Sequence, residues 1–247
     1  MSRALQWEGC ANVRDLGGVP LARGGETRYG VLVRTDNVRR LTDAGWSELY
    51  KHGVRRIVDL RWPEELANDP PREVDIDVVH VSLLGELDPD FVDDVDEYLR
   101  SDDPAGYWSS FYVAALEDYQ ANFGAAIAAI ADEEGGVVLF HCAGGKDRTG
   151  LIAALLLRVA GVSIEAAAAD YALTEANLPV GPGSWSEEAP TESERRQRRF
   201  KQRTPAAAMA RTLEALEARH GDVRTYLREA GVTEEQLGRL ERRLAAP

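Results

Sequence analysis

Residues 141–150 read HCAGGKDRTG and decide the architecture. Ahead of them stands the apolar run Val137, Val138, Leu139, Phe140; behind them an apolar helical run extends over 151–159. A strand, a glycine-rich turn and a helix in this order put the turn at the carboxyl end of a parallel strand, where α/β sheets bind ligands. Such a turn closes around a tetrahedral dianion. Its backbone N–H groups converge on the oxygens, and the helix behind it, expected to begin at about Thr149, directs its positive end to the same centre. Helix end and cationic neighbours favour the thiolate of Cys142. Arg148, six positions on, carries a planar fork matched to two phosphoryl oxygens. Each residue also has a plainer reading: an inert buried cysteine, an arginine capping the strand, glycines that only mark a tight turn. The combination favours chemistry.

The segments on either side fit one plan. Residues 57–60 (IVDL) read as a short parallel strand after a helix over 42–52, with Thr42 or Asp43 near its cap. Residues 74–83 alternate weakly, as a second strand does. Across 107–132, Phe111, Leu116, Tyr119, Phe123, Ile127 and Ile130 recur at helical spacing. The helix after the loop ends near Gly161, and another runs over 163–177. NLPVGPGSWSEEAPTESE then breaks the pattern. A helix from Pro205, near its N1 position, reaches His220. A hairpin follows, with Asp222 starting one helix and Thr233 capping the next. The whole, 1–247, reads as one α/β domain whose mostly parallel central sheet is flanked by helices. Residues 57–60 and 137–140 are expected as neighbouring or near-neighbouring central strands whose carboxyl ends open into one crevice with Asp59, Arg61 and Cys142. Residues 178–220 form a helical lid or a plain surface excursion, and 222–245 a C-terminal helical hairpin.

Composition narrows the partners. Of 247 residues 44% are hydrophobic and 29% charged, ordinary for a globular enzyme. A formal net charge of −13 argues against nucleic acid and anionic membranes. No run approaches the roughly eighteen apolar residues of a membrane span. The first residues lack a signal-peptide core, so a cytoplasmic protein is expected, with export by a route without a cleaved signal left open. Cys10 and Cys142 are the only cysteines, and a disulfide would consume the nucleophile, so both are read as reduced. Residues 86–103 hold nine acidic side chains, and 195–203 hold six basic ones. Both read as solvated surface or, for the basic run, as a face steering anions to the loop. The four histidines, His52, His80, His141 and His220, form no metal-ligand spacing, so neither a metal nor another cofactor is expected.

In this chemistry Cys142 attacks phosphorus in line, and water hydrolyses the cysteinyl-phosphate. Arg148 follows the equatorial oxygens into the transition state, while the Thr149 hydroxyl either donates to the sulfur or merely caps the helix. Ala143, Gly144, Gly145, Lys146 and Gly150 complete the phosphate cradle, the glycines avoiding Cβ clashes. His141 lies half buried beneath the loop and orients it. The leaving oxygen needs a proton, for which Asp147 is the leading candidate: a bound dianion beside it favours the protonated carboxyl. It could equally pair only with cations, and Asp59 is the reserve. Lys146 brings a second positive charge to the loop rim, open to a multiply phosphorylated ligand, or simply balances Asp147. Arg14 and Asp15 are expected to support the loop's underside through an internal ion pair or turn, with Asn12 bonding to backbone, and Arg61 to approach the pocket. Trp62-Pro63-Glu64 is taken as coincidence.

HCAGGKDRTG resembles, without a gap, the signature of the cysteine-dependent protein tyrosine phosphatase superfamily. With NVRDLGG (12–18), RTDNVRRLTDAG (34–45), IVDLRWPEE (57–65) and the tail GDVRTYLREAGVTEEQLGRLERRL, the chain is more similar still to the bacterial, often actinobacterial, tyrosine phosphatases typified by a secreted mycobacterial enzyme. The likeness spans about residues 10–245. It implies a metal-independent phosphomonoesterase acting on phosphotyrosine proteins, with dual specificity open, or on phosphoinositides. It also implies an acid at Asp147 within the loop, there being no separate WPD loop, and a helical lid over the pocket. A non-catalytic phosphate-binding module is the remaining alternative, and the oligomeric state is not legible.

Overall fold

Among the described residues five strands build one sheet in the order β1-β2-β5-β3-β4: β1 (Arg14–Asp15), β2 (Leu32–Thr35), β3 (Val54–Asp59), β4 (Asp77–His80) and β5 (Val137–His141). The computed structural model describes residues 2–86, 103–179, 181 and 184–245. Every pairing is parallel except β1 with β2. β5 is central, with Thr35 and Asp59 opposite His141 on its two sides. Alternation along the strands feeds two cores. Leu32, Val58, Val138 and Phe140 pack into one, and Val33, Ile57, Val137 and Leu139 into the other. Because both faces are covered at the centre of the sheet, β5 reads as an unbroken apolar run over residues 137–140. The fold is therefore α/β, with a largely parallel sheet flanked by helices.

On the smaller core's side α1 (Asp43–Lys51) buries Trp46 and Leu49, its start capped by the Thr42 side chain. α2 (Pro63–Asn68) follows β3. The larger core takes α3 (Pro104–Asp118), α4 (Gln120–Ala131), α5 (Asp147–Val159) and α6 (Ile164–Asn177). It also takes α8 (Ala206–His220), α9 (Val223–Glu229) and α10 (Glu234–Leu244). α7 (Glu192–Lys201) has no fully buried side chain and meets this core through the partly buried Phe200.

Several boundaries differ from the sequence reading. The helix expected over 107–132 is two, broken at Tyr119, whose φ of −114° and ψ of 25° leave the helical region while the apolar spacing runs on. The second strand contracts to Asp77–His80, the residues that ladder with Arg56–Asp59 at the sheet edge. The basic run is itself helical, started by a capping box between Thr191 and Glu194. Pro205 is the N-cap of α8, one place before N1. Asp222 and Thr233 cap α9 and α10 through their side chains. Most of the acidic run at 86–103 lies outside the described residues. No described helix is long and apolar enough to cross a membrane.

Candidate active site

The loop between β5 and α5 is braced from below by the N-terminal sequence blocks. Its Ala143 carbonyl accepts from the Asn37 N–H at 3.1 Å. The Gly145 carbonyl accepts from Asn12 Nδ2 at 2.9 Å and from Arg34 Nη2 at 2.8 Å. Gly145 has φ +64°, and a Cβ there would lie 2.5 Å from the Thr35 carbonyl oxygen, so both conformation and space require glycine. Arg14 and Arg34 converge on the buried Asp170 of α6, with contacts of 3.1 and 2.9 Å, and Arg3 joins them. Burial opposes ionisation of Asp170, yet these guanidinium groups hold its carboxyl well below the usual carboxylate range. The partner of Arg14 is thus Asp170, 156 residues on, and not Asp15. Asp15 instead accepts from the Gly17 and Gly30 N–H groups at 2.7 and 2.8 Å, a turn contact.

Cys142 is 2% exposed, at the end of β5. The Thr149 hydroxyl donates to its sulfur at 3.2 Å. α5 starts at Asp147, two residues earlier than expected, so Asp147, Arg148 and Thr149 form its first turn and the helix's positive end stands closer to the sulfur. His141 is fully buried: Nδ1 is 3.1 Å from the Cys142 carbonyl oxygen, and Nε2 is 3.6 Å from Asp59. Burial lowers its pKa despite the Asp59 charge. Asp59 is gripped by Arg61, with Nη2 to Oδ2 at 2.8 Å and Nε to Oδ1 at 3.0 Å. Burial opposes its ionisation, but His141 and Arg61 outweigh this and lower its pKa. Asp59 and Arg61 line a small cleft beside His141, apart from the main cavity, although their strand adjoins β5 as expected.

That main cavity, about 720 Å³, is lined by Ala143, Gly144, Lys146, Asp147 and Arg148 at one end. Trp62, Leu84, Tyr107, Trp108, Phe111 and Trp185 form much of the remaining wall. Arg148 is held on two sides. Glu65 takes both Nη atoms, at 2.5 and 3.0 Å, and the Trp62 ring stacks 4.0 Å from the guanidinium carbon. Glu65 is itself oriented by the Trp62 backbone N–H, which donates to its Oε2 at 2.8 Å. Burial disfavours the charge on Arg148, but Cys142 and Glu65 more than compensate and raise its pKa.

Lys146 is buried rather than at the rim. Its ammonium donates to the Lys201 carbonyl and, at 3.3 Å, to that of Arg203. It also lies 3.2 Å from Asp147 Oδ1 and 4.0 Å over the Trp108 ring. Burial lowers its pKa, and Asp147 opposes the shift. Asp147 accepts from the Tyr112 hydroxyl as well. Of the basic run, Lys201 reaches the cavity wall, whereas Arg199 pairs with Glu187 and Glu192, and Arg195 with Glu192. Arg198 stacks on Trp185. The arrangement can seat an oxyanion over a sulfur, with a cationic fork on one side and a carboxyl on the other.

Glu65, Trp62, Tyr112 and Tyr171 were not foreseen as site residues. For Glu65 a signal existed: a glutamate three residues after a helix entry is an N-terminal capping pattern. Residues 5–246 match the tyrosine phosphatase family. The chain belongs to that family. The phosphatase is 32% identical to a tyrosine-protein phosphatase of Nostoc commune, over 91% of this chain and 78% of the other. It is more distantly similar, at 27% identity over 94% and 95% of the two chains, to the triple specificity protein phosphatase PtpB of Mycobacterium tuberculosis.

Proposed function

We propose that the phosphatase hydrolyses phosphotyrosine in proteins through a cysteinyl-phosphate. The observation that carries this reading is the first turn of α5. It presents the Thr149 hydroxyl to the Cys142 sulfur at 3.2 Å and sends Arg148 and Asp147 into one cavity. Cys142 thiolate attacks phosphorus, and the S–P bond forms as the P–O bond to tyrosine breaks. Asp147 gives its proton to the departing oxygen. Water then attacks the cysteinyl-phosphate, Asp147 accepts a water proton, and the sulfur leaves as thiolate while accepting the Thr149 hydrogen bond. Arg148 and the loop amides hold the equatorial oxygens throughout. Asp59 is a poor reserve acid, being occupied by Arg61 away from the cavity.

The aromatic wall supports an aryl phosphate over an inositol phosphate, since ring faces pack on ring faces. Lys146, the cation that would answer a second phosphate, is occupied by backbone carbonyls. Leu178, Pro179, Ser184 and Trp185 also wall the cavity, which supports residues 178–220 as its cover. Both cysteines are free, which fits a reducing compartment. Phosphate release from a phosphotyrosine peptide, a phosphoserine peptide and a phosphoinositide, measured side by side, tests the reading. The phosphotyrosine peptide should lead in kcat/KM by at least about tenfold. A lead for the phosphoinositide overturns the protein assignment.

A further inference from the structure

Behind Asp147, on the side away from the cavity, two phenols stand in line. Tyr112 of α3 is wholly buried and Tyr171 of α6 nearly so. The Tyr112 hydroxyl donates to Asp147 Oδ1, and the Tyr171 hydroxyl oxygen is 2.6 Å from that of Tyr112. A phenol has one proton to give. Tyr112 gives its proton to the carboxyl group, so the bond between the phenols is donated by Tyr171. Tyr112 stays protonated: burial, then Asp147 and Tyr171, raise its pKa well above that of a free phenol. Trp108 stacks on the Tyr112 ring at 5.7 Å, and Phe111 meets it edge-on at 5.8 Å, so the hydroxyl has little freedom to turn. Gly150 belongs to the same device. A Cβ there would lie 2.9 Å from Tyr171 Cδ2, so the last glycine of the loop motif is what lets Tyr171 pack against α5.

We infer that Tyr112, supported by Tyr171, is a positioning residue for the proton donor: it fixes Oδ1 of Asp147, turns Oδ2 to the leaving oxygen, and stabilises the carboxylate as it forms. The inference rests on the reading of Asp147 as the acid. In the complex before reaction Asp147 carries its proton on Oδ2, and the bond from Tyr112 is an ordinary neutral one. As the P–O bond breaks, that proton passes to the departing phenolate oxygen and negative charge appears on the carboxyl group. Tyr112 keeps its own proton and now donates to an anion, a bond about twice as strong as the neutral one. The groups facing Asp147 are its neighbours Lys146 and Arg148, and Tyr112 backed by Tyr171. Lys146 also points at Oδ1, 3.2 Å away. Two donors converge on one oxygen, and the other is left for the substrate.

The test compares phenyl phosphate, a poor leaving group, with 4-nitrophenyl phosphate, a good one, on the full chain and on Tyr112→Phe, Tyr171→Phe, Asp147→Asn and the double variant Y112F/D147N. Y112F should lower kcat on phenyl phosphate by about 10-fold, with KM within about twofold and little change on 4-nitrophenyl phosphate. In the D147N background it should cost nothing further. Y171F, which keeps the bond to Asp147, should show the same selectivity at about threefold and serves if Y112F does not fold. An equal loss on both substrates, or a full further loss in the D147N background, overturns the inference while leaving Asp147 as the acid. If D147N itself slows both substrates alike, the acid assignment fails and the role of Tyr112 with it.

Discussion

Glu65 grips Arg148 end-on, a carboxylate oxygen at each Nη atom, 2.5 and 3.0 Å away. That grip leaves the Nε edge of the fork for a phosphoryl group and fixes its direction before any ligand arrives. If Arg148 binds the phosphoryl group as proposed, Glu65 acts as a brace and not as a competitor for the arginine. Glu65→Ala should lower kcat/KM by about 10- to 100-fold, the cost of a misplaced binding group, and should weaken vanadate binding. Tighter vanadate binding in that variant would show that the carboxylate occupies the phosphate's place.

Cys142→Ser should reduce turnover below about one thousandth of the parent, since the hydroxyl is a far weaker nucleophile at neutral pH. Phosphate analogues should still bind, because the fork and the loop amides are untouched. Activity should survive a chelator. Retained turnover in the serine variant, measured by phosphate release, would falsify the covalent route.

Asp147→Asn should slow an aryl phosphate with a poor leaving group by roughly 10²–10⁴-fold, the usual contribution of a general acid. A good leaving group departs unprotonated and should suffer much less. The variant should also lose the basic limb of the kcat–pH profile, whereas Asp59→Asn should keep it. Equal slowing of both substrates would mean that Asp147 only shapes the loop.

The strands β3, β4 and β5 and the glycine-rich loop were legible in the chain alone because they rest on local signals, whereas β1 and β2 were not. Val137–Phe140 is apolar on both faces, as a buried parallel strand must be, and the glycines and arginine of residues 141–150 sit at fixed offsets. The rest depends on contacts between distant segments. Asp170 is an unremarkable aspartate in an alanine-rich helix until the fold brings Arg14 and Arg34 to it from 156 and 136 positions away. Trp62-Pro63-Glu64, which follows Asp59-Leu60-Arg61 near the N-terminus, reads as coincidence in the sequence, yet its tryptophan stacks on Arg148 and the next residue, Glu65, pairs with it. The break at Tyr119 was hidden by apolar spacing that continues across it. The basic run promised a steering face, but most of its arginines are spent on Glu187, Glu192 and Trp185.

Asp170→Asn should cost about 3–5 kcal/mol at pH 7, the usual penalty for leaving buried charges uncompensated, here Arg14 and Arg34. The pH dependence has a definite sign. A carboxyl held below its ordinary range in the folded state contributes fully above an unfolded value of about 3.9, and the contribution fades as pH falls below it. Urea melts should show the gap between the two proteins narrowing from pH 5 to pH 3. A gap that stays constant over that interval would deny Asp170 its charged role.

Gly150→Ala should lower Tm, because its methyl group must displace the Tyr171 ring, 2.9 Å away. An overpacked core site costs about 1–3 kcal/mol. A calorimetric scan within experimental error of the parent would show that the ring yields freely.

The Gly145 carbonyl, held by Asn12 and Arg34, sets the peptide plane it shares with Lys146. With the oxygen drawn down to those donors, the N–H on the other end of the trans peptide plane points the opposite way. The orientation is settled when the chain folds, so an arriving anion meets dipoles that have no further turning to do. Water around a free phosphate must reorient to serve it; this loop behaves as a solvent already frozen in the serving arrangement. Oxyanion binding should then show a favourable enthalpy with little ordering of the loop, and the same calorimetric trace should worsen in its entropy once Asn12 is shortened to alanine and the plane is free to swing.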